Sequence, residues 1–201
     1  MDLSTKKDLK ISFLVGIVAG VLMLPTLRNL GVILNLKVAL LATGGLTVFT
    51  PVGYLVAYWL SKRWPVLLQF VKFGIVGGLN AMIDLGVLNL LIYFSGLAAG
   101  FWYSVFKSVS FITAVFNSYF WNKYWTFKSE NRVVKSEFLK FFLVNLFTFA
   151  LNVGTASVLV NVVGKPAGIS AELWANVGAV SAVFISLFIN FLGMKFIVFK
   201  R

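Results

Sequence analysis

Six stretches of this chain are apolar for about the 20 helical residues that a bilayer's hydrocarbon core demands. They cover residues 11–27, 38–60, 70–94, 102–121, 141–163 and 173–191. An open sheet in lipid would leave its edge amides unpaired, so each stretch is expected as a helix. The fold class that follows is an all-α integral membrane protein with six transmembrane helices. Only 12% of the 201 residues are charged while 60% are apolar. A soluble domain carries about twice that charge, and one soluble core could not hide so much apolar surface.

The first stretch resembles a signal peptide in its basic start (Lys6, Lys7, Lys10) and short apolar run. It is followed, however, by Leu24-Pro25-Thr26-Leu27-Arg28, which lacks the small-residue pair of a cleavage site. A retained helix is expected, with Pro25 near its end and Pro51 as a possible kink in the second helix.

The net charge of +12 would point to nucleic acid in a soluble protein. In a membrane protein the same excess reports topology, because Lys and Arg collect at the cytoplasmic ends of spans. With the N-terminus inside, fourteen of the 18 basic residues fall on the cytoplasmic side. Only Arg28, Lys37, Lys107 and Lys165 fall on the other side. The expected orientation is N-in/C-in, in one direction only, with no nucleic-acid partner. The chain has no Cys and no His, so disulfides, thiol nucleophiles, most zinc sites and imidazole chemistry are excluded. No metal and no cofactor is expected.

From Phe70 onward the sequence repeats. Phe70, Lys72, Phe73, Val76, Asp84, Gly86, Leu91 and Gly96 each have a counterpart 68 positions later: Phe138, Lys140, Phe141, Val144, Asn152, Gly154, Leu159 and Gly164. The same offset places Ser118, Phe120 and Asn122 on Ser186, Phe188 and Asn190. After a four-residue insertion, Lys123, Phe127 and Lys128 align with Lys195, Phe199 and Lys200. Each unit, about 70–128 and 138–200, holds two helices, so both copies enter the membrane in the same direction. This predicts a core of four helices built by a parallel duplication, with residues 1–66 as a separate pair of transmembrane helices. Ser110, Ala114, Ser118 and Asn122 recur every four positions, as Gly178, Ala182, Ser186 and Asn190 do. With Gly16/Gly20 and Gly74/Gly78 they read as helix-packing faces.

Polar groups deep in a span are the candidates for chemistry. Asp84 lies ten positions before the end of its stretch, about 15 Å from the outer boundary. A carboxylate at that depth costs roughly 2.5–3.5 kcal/mol on insertion scales, which makes it a site candidate by default. Its structural reading is an Asp that ties helices together. Asn80 lies one turn away on the same face. Lys107 either snorkels outward or reaches inward to pair Asp84 or hold a phosphate. Asn117 is one of several asparagines placed in the spans, each of which needs partners there. Asn152 occupies the position of Asp84 in the second repeat. The cytoplasmic segment 122–140 interleaves Lys123 and other cations with Tyr124, Trp125 and Phe127. An aromatic belt and the topology signal account for most of it, and its cations also attract anionic lipids.

Asn122-Lys123-Tyr124-Trp125-Thr126-Phe127, the run Phe70-Val71-Lys72-Phe73-Gly74-Ile75-Val76-Gly77-Gly78-Leu79-Asn80, and Asp84 together resemble the GtrA-like family of small four-helix membrane proteins. The closing Phe196-Ile197-Val198-Phe199-Lys200 echoes the first of these motifs. The resemblance covers residues 67–201, a four-helix domain, and leaves the N-terminal pair outside. Lys123 stands where the family often has Arg, keeping the charge but not the bidentate fork. What the resemblance implies is flippase-type translocation of a polyprenyl-phosphate-linked sugar to the outer leaflet of the plasma membrane, for cell-surface polysaccharide synthesis or glycosylation. Asn122, Lys123 and Trp125 would receive the head, Asp84, Asn80, Asn117 and Asn152 would line its path, and Lys107 would hold phosphate near the exit. Two other readings stand beside it: a proton-coupled exporter of small molecules using Asp84, and a non-transporting membrane partner of a glycosyltransferase. With so few acidic residues and no His or Cys, an enzyme is not expected. Four core helices make a thin pathway, so a parallel homodimer is among the expected assemblies, in contact with membrane lipids.

Overall fold

The computed structural model of the chain describes residues 3–29, 31–97, 100–129, 135–164, 166–168 and 171–200. Among them lie six long helices and no strand: α1 (Leu3–Asn29), α2 (Leu36–Ser61), α3 (Pro65–Ser95), α4 (Gly100–Trp121), α5 (Lys135–Ser157) and α6 (Ala171–Gly193). Of these, α1, α2 and α3 each contain a segment long and apolar enough to cross a membrane. The chain divides into two compact units, Met1–Lys128 and Ser129–Arg201. The division drawn from the sequence at 66/67 separates α1 and α2 from α3 and α4, which pack together in the first unit.

The helix ends follow local chemistry. Asn35 caps α2 by accepting from Val38 N at 2.9 Å. Pro65 occupies the first turn of α3, where no N–H is needed. Gly96 closes α3 in the left-handed region (φ 71°), donating its N–H to Ile92 O at 2.8 Å. α1 differs from expectation at both ends. It begins at Leu3 rather than at residue 11, and it runs through Pro25 to Asn29. Pro51 lies inside α2. A proline inside a transmembrane helix is tolerated because neighbouring helices can re-satisfy the freed carbonyl.

In the first unit α1 and α3 run parallel to each other and antiparallel to α2 and α4. Side-chain pairs fix this: Arg28 lies over the Tyr93 ring at 4.4 Å at one end, and Asp8 meets Lys72 and Tyr54 at the other. Gly16 and Gly20 set the α1–α2 crossing. A Cβ at Gly16 would lie 2.5 Å from Leu46 O, and one at Gly20 2.5 Å from the Thr43 Cα. These two glycines therefore let the backbones touch, as expected for lipid, where dispersion between close helices drives association. The Gly74/Gly78 pair does not act this way. Among the described residues, a Cβ built at either would meet no atom of another helix within 4 Å. Val15 and Ala19 of α1, Leu79 and Ile83 of α3, and Ala114 of α4 form the apolar centre.

The outward surface is apolar: Leu14, Leu40, Leu41, Phe49, Phe94 and Phe101 are all exposed, whereas Ser12, Thr50 and Ser110 are buried. Hydrocarbon solvates the first group, and the second finds its partners inside the helix bundle.

The second unit pairs α5 with α6. Asn152 Nδ2 donates to Ser186 Oγ at 3.0 Å, and Asn190 Nδ2 to Asn145 Oδ1 at 3.3 Å. Several local features occur in both units. α4 and α6 each widen into a five-residue π-helical turn, Asn122–Thr126 and Met194–Val198. Each turn closes with a 2.8 Å bond, from Phe127 N to Asn122 O and from Phe199 N to Met194 O. Phe127 packs on Phe73, and Phe199 packs on Phe141, with ring centroids 6.2 and 6.4 Å apart. Gly164, like Gly96, has positive φ, at 73°.

Candidate functional site

Polar side chains of the first unit gather at two levels. The deeper level lies between α3 and α4. Ser110 Oγ donates to Asp84 Oδ1 at 2.6 Å. One turn nearer the Lys72 end, Asn117 Nδ2 donates to Asn80 Oδ1 at 2.6 Å, and Trp121 Nε1 donates to Asn117 Oδ1 at 3.0 Å. The helical spacing of Asn80 and Asp84 aims both at α4, where Ser110, Asn117 and Trp121 rise on the facing side. The result is a ladder of amide, hydroxyl, indole and carboxylate groups about 16 Å long from Trp121 to Ser110 along α4, at ~1.5 Å per residue. Asp84, Asn80 and Asn117 are half-buried, so the ladder retains an accessible side.

The second level is the π-helical turn. π-helical segments recur at functional sites in helices generally. Here the turn points Asn122, Lys123, Trp125 and Thr126 inward and leaves Tyr124 exposed. Lys123 is fully buried, its Nζ 5.9 Å from the centre of the Tyr119 ring. Asn122 Nδ2 donates to Ser118 O at 2.9 Å. Two buried acceptors on this turn, Asn122 Oδ1 and Thr126 Oγ1, have no hydrogen-bond partner among the described residues. Such groups are costly to bury unmet.

Beside that turn lies a cluster that sequence reasoning missed. The Asp8 carboxylate of α1 is paired with Lys72 Nζ. It also accepts from Trp125 Nε1 at 2.9 Å and from the Tyr54 hydroxyl at 3.4 Å. Lys72 Nζ lies 5.4 Å from the centre of the Trp125 ring and 5.8 Å from that of Tyr54. Asp8 and Lys72 are 5% and 3% exposed. One residue from each of α1, α2, α3 and the π-helical turn thus meets in a closed cation–carboxylate box. Lys72 lies in the family motif without an assigned role, and Asp8 stands in sequence among Lys6, Lys7 and Lys10, which draw the eye to charge alone. A signal was present: Thr5, Asp8, Ser12, Val15 and Ala19 repeat at helical spacing, and all five are buried.

Of the residues singled out from sequence, Asp84, Asn80 and Asn117 share the α3–α4 ladder, and Asn122, Lys123 and Trp125 share the turn. Asn152 lies on α5 in the second unit, bonded to Ser186. The backbone of Lys107 belongs to α4, and its side chain lies outside the described residues. A family model described as the GtrA/DPMS transmembrane domain matches residues 72–199. No solved structure matches the chain.

Proposed function

Because the chain belongs to the GtrA/DPMS transmembrane domain family, a family of membrane proteins linked broadly to translocation of lipid-linked sugars, we propose that it flips a polyprenyl-phosphate-linked sugar from the inner to the outer leaflet of the plasma membrane. The observation that carries this reading is the α3–α4 ladder. A sugar head crossing hydrocarbon needs replacements for its water, and amides, hydroxyls and a carboxylate in file supply both donors and acceptors. Asp84, Asn80 and Asn117 offer these along one helix pair, with the prenyl chain left in lipid. Asn122, Lys123 and Trp125 form the cytoplasmic entry, and the orphan acceptors of Asn122 and Thr126 would accept sugar hydroxyls. Lys107 holds phosphate near the exit, and Asn152, at the position of Asp84 in the second repeat, offers the head a further amide. The protein acts by binding and passage, with no bond made or broken.

The same reading includes six spans, N-in/C-in, and a parallel two-helix duplication. In its support, the two π-helical turns and the Phe73–Phe127 and Phe141–Phe199 pairs recur at the repeat register. So do the positive-φ glycines Gly96 and Gly164. A parallel homodimer would widen the pathway. A second reading is a membrane subunit that holds a glycosyltransferase without transport, and one observation favours it: Asp84 and Asn80 each bond a neighbouring helix, as structural polar groups do.

Liposomes carrying the full chain and polyprenyl-phosphate-linked sugars, probed with an impermeant glycosidase, separate the two. Flipping exposes the inner-leaflet pool faster than in empty liposomes, and Asp84→Ala and Lys107→Ala slow it. Folded protein that gives no acceleration with several sugar lipids refutes the flippase and leaves the subunit.

A further inference from the structure

A groove of about 530 Å³ runs between α5 and α6, from Lys140 to Thr148 on one wall and from Ile189 to Ile197 on the other. Its lining is apolar apart from two residues. Thr148 spends its hydroxyl on the carbonyls of Val144 and Asn145, each at 3.0 Å. Lys140, exposed at the mouth, carries the only charge in the lining.

The repeat register explains why the groove is open. Lys140 is the counterpart of Lys72, Ile189 is the counterpart of Trp121, and Ile197 is that of Trp125 once the four-residue insertion is counted. In the first unit those two indoles stack edge to face, and a carboxylate meets the lysine. In the second unit the indoles are replaced by the smaller side chains of Ile189 and Ile197, and no carboxylate among the described residues pairs Lys140. What remains is a cation above an empty apolar trough.

We propose that this groove seats one phosphate-headed lipid of the inner leaflet, with its phosphate on Lys140 Nζ and a hydrocarbon chain along Leu143, Phe147, Leu192 and Gly193. The lysine is exposed and can meet an anion, and basic residues between transmembrane helices on the cytoplasmic side bind lipid head groups. The length of the groove selects a lipid over a partner's helix. Eight residue steps are about 12 Å, close to half of a ~30 Å hydrocarbon core. One leaflet's chain matches that depth, whereas a spanning helix would need a face twice as long. The inference does not depend on flipping, because the site is separate from the α3–α4 ladder.

The full chain in detergent, titrated with phosphatidylglycerol or phosphatidylcholine and read by native mass spectrometry, tests it. One phosphatidylglycerol per chain is retained about fivefold more tightly than phosphatidylcholine, the preference that one lysine near a phosphate confers. Lys140→Ala abolishes the preference and Lys140→Arg keeps it. Leu143→Trp, at an exposed groove position, evicts the lipid with Lys140 in place and the melting temperature unchanged. Free inorganic phosphate does not displace it. Retention that survives both Lys140→Ala and Leu143→Trp, displacement by inorganic phosphate, or a stoichiometric polypeptide in the groove in place of lipid, each overturns the proposal.

Discussion

Removing the Asp8 carboxylate strands a lysine. In Asp8→Ala, the Lys72 ammonium remains 3% exposed with its ion-pair partner gone. The Trp125 indole N–H and the Tyr54 hydroxyl lose their acceptor as well. Breaking a buried pair from one side costs about 3–5 kcal/mol, most of it the uncompensated charge. For a chain near 200 residues that corresponds to a melting temperature lower by roughly 6–20 °C. Lys72→Met alone leaves a buried carboxylate that still accepts from Trp125 and Tyr54, so its loss is smaller. Asp8→Ala combined with Lys72→Met removes both charges and recovers much of the single-mutant loss. Thermal unfolding of the four proteins in one detergent gives the coupling energy as a double-mutant cycle. A coupling below about 0.5 kcal/mol, or an Asp8→Ala protein that melts with the wild type, would refute the assignment of this pair as the fastening between α1 and α3.

Gly16→Val drives side-chain atoms into the Leu46 carbonyl, 2.5 Å from the Cβ position, and lowers the unfolding temperature, whereas Gly77→Ala meets nothing within 4 Å and raises it by the helix-propensity gain of up to about 1 kcal/mol. Asn117→Ala leaves Asn80 Oδ1 and Trp121 Nε1 without the partner they share; the expected loss is about 1–2 kcal/mol in a denaturant titration, and unchanged stability would argue that lipid or water replaces the amide. Arg28→Ala removes a cation 4.4 Å from the Tyr93 ring and costs only about 0.5–2 kcal/mol. Since the chain has no Cys, single cysteines report topology: an impermeant maleimide labels Gly31→Cys and Leu97→Cys from outside intact cells, and labels Ser61→Cys only after lysis.

Long apolar runs made the helices readable, because hydrocarbon demands an unbroken stretch and leaves few alternatives. Termini were less legible. Lys6, Lys7 and Lys10 signal cytoplasm by charge, yet a helix can carry three lysines on its wet face while burying Thr5, Asp8 and Ser12 on the other. Counting charges along the chain conceals that division, and reading them at helical spacing exposes it. The site was legible in part. Asn80 and Asp84 share a face by arithmetic, but their partners on α4 depend on how two helices cross, which no spacing within one helix encodes. The Gly74/Gly78 motif shows the reverse failure: its spacing fits a close crossing, and a Cβ at either glycine would meet no neighbouring helix within 4 Å among the described residues.

The Asp8 box also sets an order of assembly. Its carboxylate emerges from the ribosome 64 residues ahead of Lys72 and 117 ahead of Trp125. Until those residues are made, the carboxylate lacks the lysine and the indole that hold it in the finished fold. Only when the third helix has inserted and the fourth has delivered its closing turn does the charge gain both. The N-terminal hairpin is thus held in reserve until the helices it must grip have arrived, and a nascent chain that stalls early keeps a releasable end.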